Sequence, residues 1–440
     1  VLFSVVATET SALTFISIPG IAYLGDFTFL QIALGYVVGR IVVAYTLLPR
    51  YYQGQLVTAY ALLEQRFGLA TRRFASVVFM ATRAFADSVR VFATAIPIAL
   101  ILRGTVPHPV PWAVLILGLL TVFYTYHGGM RAVVWTDVVQ TCVYLVGGIS
   151  AVALLGATVA GGWPAIWHTA AAADKLRVFD LHLGFDRPYT LAAGVIGGAF
   201  LSMASHGADQ LIVQRLLAAE NLRDARRALI GSGIAVLAQF ALFLTIGIGL
   251  FAYYGGHHVD APDTIFPGYI LERMPHGLIG LIVAAILAAT MSTHSGAINS
   301  LAASTTHDIY LPLTGGRADD PGVLRMAKRF TLFWGVLLTG GALLYREQGT
   351  PVVQVALSIA SFTYGGLLGG FFLAMLWRRA VQRDAITGMT AGIAAMALIV
   401  FAKPLGLDRV PAIAWPWYVL IGSTITVLVG VGSSFTHDAP

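Results

Sequence analysis

The chain has 440 residues, 57% of them hydrophobic and only 11% charged, with a formal net charge of +6. A soluble chain of this length carries about a quarter charged residues, so a soluble fold is excluded, and recurring apolar runs of about 20 residues mark a polytopic helical membrane protein. The single cysteine, Cys142, excludes an internal disulfide and a metal cluster built on cysteines.

Twelve spans are predicted, at 1–23, 29–48, 75–102, 111–126, 131–159, 189–213, 228–254, 278–305, 327–344, 352–377, 385–401 and 416–433. The connections that follow even-numbered spans gather most of the basic residues, including Arg50, Arg66, Arg72, Arg73, Arg215, Arg223, Arg325 and Arg378. By the positive-inside rule this basic side is cytoplasmic and the first span runs outward. The positive charge therefore reports topology and not a nucleic-acid partner. Val1 already lies in an apolar stretch, so an N-terminal piece is expected ahead of it, and nothing resembles a cleaved signal peptide. The expected location is a bacterial inner or plasma membrane, with the bilayer and a small solute as partners and no protein partner implied.

The first span contains Ala7-Thr-Glu-Thr-Ser11 and then Pro19-Gly20. Glu9 is costly inside a span and is a functional candidate for that reason. Pro19 and Gly20 weaken the helix, so that carbonyls released there are expected to face a cavity. The second span carries Gln31 near its outer end and Arg40 deeper in. The third carries Arg83, Asp87 and Arg90 at i, i+4 and i+7, on one helical face. Asp87 can neutralise one arginine but hardly both. Either the trio fixes this span against its neighbours, or a positive charge remains there.

The turn Tyr124-Thr-Tyr-His-Gly-Gly-Met-Arg-Ala132 joins spans four and five, and Asp137 lies about two turns beyond it. The sixth span, with Gly194, Gly197, Gly198, Ser202, Ser205 and Asp209, reads as a second interrupted helix. The seventh is plain and apolar, and packing explains it. The eighth reads as one helix, roughly Gly277 to Ser304, apolar in its first half. Its second half bears oxygen at Ser292, Thr293, Ser295, Asn299 and Ser300. Positions 292, 295/296 and 299 share a face. Hydroxyls there suit a hard monovalent cation, and they equally suit close helix packing. The glycines of Gly365-Gly-Leu-Leu-Gly-Gly370 allow either close packing or a bend. The last two spans lack a buried charge and read as peripheral.

The first and sixth spans are both interrupted, and four spans follow each. An odd-numbered unit repeated in series must be inverted in the membrane, and interrupted helices at matching positions point to a site between the repeats. The fold expected is therefore an all-α polytopic membrane protein. Two inverted five-helix repeats, 1–159 and 160–377, are followed by two additional helices in 378–440.

The glycine turn with its Trp-Thr-Asp137-Val-Val-Gln continuation, the Asp209-Gln210…Gln214-Arg215 end of the sixth span and the Ser292-Thr293 face occur together and in order. They resemble the sodium:solute symporter family, and Tyr124-Thr-x-x-Gly-Gly-Met-x-Ala132 is similar to a family signature. The resemblance implies the five-plus-five inverted-repeat fold, usually with one more helix before the first repeat. It implies a sodium site made by Ala7 and Thr10 of the first span and Ala289, Ser292 and Thr293 of the eighth. It also implies a possible second sodium at Asp137, Ser292 and Ser295, but Gly296 stands where such members tend to have another serine. Sugar-transporting members match less well, since Leu13 and Thr14 occupy positions that tend to be acidic and amide in them. Carboxylate-transporting members can carry an arginine shortly before a proline in the third span. Arg90 ahead of Pro97 fits this, with Arg83 as the alternate.

The expectation is Na+-coupled symport of a small polar solute by alternating access, with one or two Na+ and no catalytic constellation. A carboxylate on Arg90 or Arg83 would complete the charge balance of the third span, since an unpaired buried charge costs several kcal/mol. Ser11, Thr14 and Gln31, beside Glu9, would then bond its hydroxyl or amide groups. The alternatives are a neutral sugar, polyol or vitamin, with Glu9, Asp137 or Asp209 satisfying the second arginine. A channel or a transport-fold sensor is more remote.

Overall fold

A computed structural model describes residues 6, 12–53, 56, 58–127, 130–317, 320–346, 349–402, 405–406 and 411–437, without the side chains of 127 and 130–138. Among the described residues the chain is helical with no strand. Its main helices are α1 (Ala12–Leu24), α2 (Leu30–Thr46), α3 (Leu69–Ile101), α4 (Pro109–His127), α5 (Met130–Thr158) and α6 (Gly198–Gly207). They continue as α7 (Leu222–Tyr253), α8 (His276–Ser304), α9 (Pro321–Leu344), α10 (Val352–Leu376), α11 (Gln382–Val400) and α12 (Trp417–Ser433). Each predicted span thus has its helix. Eight of the helical stretches are long and apolar enough to cross a membrane by themselves, while α1 and α12 are shorter apolar helices.

Glycine sets the helix spacing where the helices meet most closely. A Cβ on Gly35 of α2 would lie 2.2 Å from the Gly194 carbonyl oxygen, and one on Gly39 would lie 2.3 Å from that of Ala199. Backbones approach this closely only at small residues, which is how membrane helices gain packing contact. The glycines of α10 do the same. Gly365 abuts Gly422 and Gly369 abuts Thr426 of α12, while Gly366 and Gly370 face Ile393 and Met389 of α11. Close packing, not a bend, is their use, because α10 runs unbroken from Val352 to Leu376.

Two sequence expectations change here. α1 continues through Pro19, and the carbonyl there does not open on a cavity: a Cβ at Gly247 of α7 would lie 2.2 Å from it. At the start of α11, Asp384 is fully buried and accepts from Ser433 at 2.6 Å and from the Val381 amide at 2.9 Å, so a charge does lie inside the C-terminal pair. The interruption of the sixth span is present, as a π turn at Ala193–Gly197 and a break at Ala208–Asp209, nearer the basic end than mid-span. The stretch 7–11, where the first interruption is expected, lies outside the described residues.

α1 packs on α7, and α2 on α6 and α7. α3 crosses α4, α8, α9 and α10, and α8 lies against α5. Phe15 of α1 sits in an aromatic nest, 5.2 Å from Phe243 and 4.8 Å from Phe266 between ring centroids. These contacts hold α1, α3, α6 and α8 around one polar centre.

Candidate functional site

The centre is built on the charged face of α3. Arg83 is 4% exposed. Its Nε donates to Asp209 Oδ2 at 3.0 Å and its Nη2 lies 2.9 Å from Oδ1, a two-pronged grip. Tyr364 of α10 donates to the same carboxylate. Asp209 is at the break after α6, with extended backbone, and its Oδ1 caps the next short helix through the Leu211 amide at 2.9 Å. A break that leaves amides uncapped is thereby used to present a carboxylate. Arg83 also reaches Asp87 Oδ1 at 3.4 Å, and Arg90 Nη1 reaches it at 3.5 Å.

These four charges cancel, with Asp209 satisfying the second arginine as the neutral-solute alternative has it, so the expected residual positive charge on the third span is not found. They are not equally engaged. The fork of Arg83 is taken by Asp209. Among the described residues Arg90 is held by one long contact, its side chain is 24% exposed, and its buried Nε has no partner. Of the two arginines proposed for an anion, the geometry therefore leaves Arg90 open.

Arg90 borders two spaces. The larger is lined by Thr14, Tyr36, Arg40, Arg83, His206 and Tyr364 among others. The smaller lies between α1, α3 and α8 and is lined by Leu13, Asp87, Arg90, Thr290, Thr293 and His294 among others. Thr14 thus faces the larger space, as the sequence reading requires of a solute contact. Gln31 does not line either. Its Nε2 donates to the Tyr189 and Thr28 carbonyls at 2.9 and 3.2 Å, and its Oε1 accepts from the Asp180 amide at 3.3 Å. An amide so occupied fastens the loop beyond α5 and has little left for a solute.

On α8, Ser292 and Ser295 are buried, and Thr293 Oγ1 donates to the Ala289 carbonyl at 3.0 Å. A hydroxyl that donates to its own helix keeps its lone pairs for a cation. Among the described residues no group of His, Cys, Asp or Glu is placed to hold a metal ion, so hydroxyl and carbonyl oxygens are what α8 offers. Ala7, Glu9, Thr10 and Ser11 lie outside the described residues, as does the side chain of Asp137. At Gly296, a Cβ would lie 2.9 Å from Arg215 Nη2. A guanidinium therefore fills the space into which a serine at 296 would project.

Sequence reasoning noted Arg40 within a span and gave it no role. It is 1% exposed, bonds Ser232 at 2.7 Å and borders the larger space. A buried arginine inside a span was the available signal. His294 and Tyr364 carry no role in the sequence reading, because the hydroxyls on either side of His294 and the glycines that follow Tyr364 are the signals it uses there.

At the arginine-poor end, Lys175 donates to the Tyr23 and Gly25 carbonyls, both at 2.8 Å, and burial lowers its pKa. It clamps the C-terminus of α1. Asp263, in the connection between α7 and α8, is fully buried and accepts from the Val352 amide at the start of α10 at 2.9 Å. Burial raises its carboxyl pKa to about 6.

The profile of the sodium:solute symporter family matches residues 1–392. The sodium/sialic acid symporter NanT of Aliivibrio fischeri is 30% identical over 97% of this chain and 83% of its own length. The putative sodium-dependent multivitamin transporter of Drosophila melanogaster is 31% identical over 92% of this chain and 68% of its own. Among solved structures, the substrate-bound outward-open state of a Na+-coupled sialic acid symporter superposes with a TM-score of 0.84 at 28% identity, covering 99% of this chain and 89% of that one. The nucleobase-cation-symport-1 transporter MHP1, in a closed conformation, shares the fold with a TM-score of 0.54 at 14% identity, over 98% and 91% of the two chains.

Proposed function

The chain belongs to the sodium:solute symporter family, an integral multi-pass membrane family, and from that premise we propose that it moves a carboxylate-bearing solute with Na+ by alternating access. The observation that carries the carboxylate is Arg90, a loosely held arginine inside a span, bordering both central spaces. Arginine holds a carboxylate through two parallel hydrogen bonds, and withdrawal from water strengthens them. The sialic acid symporters among its relatives act on such an acid, which supports this reading.

Sodium enters as cargo. Ala289, Ser292 and Thr293 of α8 would hold it against carbonyls of Ala7 and Thr10 in the first span, while Glu9 would draw it in. Joining those two helices favours one state of the transporter and shapes the solute site, so each ligand tightens the other reciprocally. The membrane potential adds about 2.3 kcal/mol per charge per 100 mV. We favour a single Na+, because Arg215 fills the space beside Gly296 and supplies a resident positive charge there. α1–α5 and α6–α10 form the two inverted repeats, and α11 and α12 brace α10. The test is uptake in proteoliposomes: saturable accumulation of labelled sialic acid that follows an inward Na+ gradient, displaced by other carboxylates and not by their amides or alcohols.

A further inference from the structure

α3 and α8 each turn one face to the smaller central space. From α3 come Asp87, Arg90 and Thr94, and from α8 come Thr290, Thr293 and His294. The three threonines have spent their hydrogens on their own helices: Thr94 donates to the Arg90 carbonyl at 2.9 Å, Thr290 to that of Ile286 at 2.7 Å, and Thr293 to that of Ala289 at 3.0 Å. His294 differs. It is 3% exposed, and among the described residues neither ring nitrogen has a partner. Among the described residues Arg90 Nε and Asp87 Oδ2, on the facing helix, are also buried without one. Buried polar atoms are nearly always bonded, so three such side chains around one space point to something that binds there.

The donor set states what it is. A cation is disfavoured by the guanidinium of Arg90, and a bare anion by the carboxylate of Asp87. Neutral imidazole offers one donor and one acceptor, Arg90 Nε only donates, and Asp87 Oδ2 only accepts. A group that both donates and accepts fits all three, as a water molecule, a hydroxyl or a secondary amide does. Building on the function proposed above, we infer that His294 is a specificity-determining contact for a hydroxyl or amide substituent of the solute whose carboxylate rests on Arg90. Because Arg90 borders both spaces, a solute seated on it can extend a substituent towards α8.

The experiment compares uptake of labelled sialic acid, rich in hydroxyl and amide groups, with uptake of labelled pyruvate, which has neither. Wild type, His294→Leu and His294→Gln are reconstituted in liposomes. His294→Leu should raise the KM for sialic acid about tenfold, the loss of roughly one hydrogen bond. Its pyruvate KM and its half-saturating Na+ concentration should stay within about twofold of wild type. His294→Gln keeps a donor and an acceptor and should largely restore sialic acid uptake. If the leucine variant does not fold, His294→Met removes the hydrogen bonds while filling the space, and the same ratio is read. Equal losses for the two acids, or a raised Na+ requirement, would show a packing role and overturn the inference. So would wild-type uptake of pyruvate without sialic acid, or a leucine variant indistinguishable from wild type. Absence of Na+-driven uptake of both acids by the wild type rejects instead the carboxylate function on which the inference rests.

Discussion

Arg83 of α3 and Asp209 at the break after α6 face each other through two contacts of 3.0 and 2.9 Å, both side chains buried. The pair ties α3 to the interrupted helix and to α10 through Tyr364. A buried pair of this kind adds little over an apolar one, but losing one member leaves an uncompensated charge. Asp209→Ala should therefore cost about 3–5 kcal/mol and depress expression. The double variant Arg83→Leu, Asp209→Leu should recover much of that loss in thermal unfolding. A single variant as stable as wild type would contradict this role.

Removing a neutral oxygen from α8 should weaken cation binding without unfolding the helix. Ser292→Ala and Thr293→Ala should each raise the half-saturating Na+ concentration about tenfold, equivalent to roughly 1.4 kcal/mol. Thermal stability measured without Na+ should be unchanged. If instead Na+ dependence stays normal and Na+-free stability falls, the hydroxyls serve packing.

The contact between Gly296 and Arg215 bears on stoichiometry. Binding of ²²Na+ to the purified protein should saturate at about one ion per chain, with a Hill coefficient near one in uptake. Gly296→Ser must displace the Arg215 guanidinium, since its Cβ would lie 2.9 Å from Nη2, and uptake should fall severalfold. Two ions bound per wild-type chain would rule out the single-ion reading.

Asp263 should make stability pH-dependent. Its pKa is raised to about 6 by burial, from an ordinary carboxyl value of 3.8. The folded state thus holds this proton more tightly than the unfolded chain. Stability is full below the ordinary value, falls as the pH rises through about 6, and then levels off, a loss of at most about 3 kcal/mol. Asp263→Asn cannot ionise, so its stability relative to wild type should rise between pH 4 and pH 7. A constant difference in melting temperature across that range would show that the carboxyl does not titrate there.

Much of this arrangement was legible in the chain. α8 was expected at roughly Gly277 to Ser304 and runs from His276 to Ser304, because an apolar run joined to small hydroxyl residues contains no breaker. α3 begins six residues before its predicted start, since Leu69 to Arg73 form polar helix that hydropathy does not detect. The partner of Arg83 could not be chosen from the sequence. Asp209 was one of three acids that qualified, and only the break after α6 turns it towards α3. Gln31 is expected to bond the solute from the outer end of the second span, but position along a span does not show that a loop carbonyl and a loop amide already occupy it. His294 escaped notice because a helix that is small or polar on several faces has no periodicity to mark which face looks into a cavity.

The most direct measurement is Na+-gradient-driven uptake of labelled sialic acid by wild type, Arg90→Lys and Arg83→Lys in proteoliposomes. Lysine keeps the charge and loses the fork that grips a carboxylate. Wild type should accumulate the acid only with an inward Na+ gradient, and Arg90→Lys should lower uptake at least about tenfold with its folding and Na+ binding intact. Normal uptake by both lysine variants, or equal competition by carboxylic acids and their neutral analogues, would contradict a carboxylate site at Arg90.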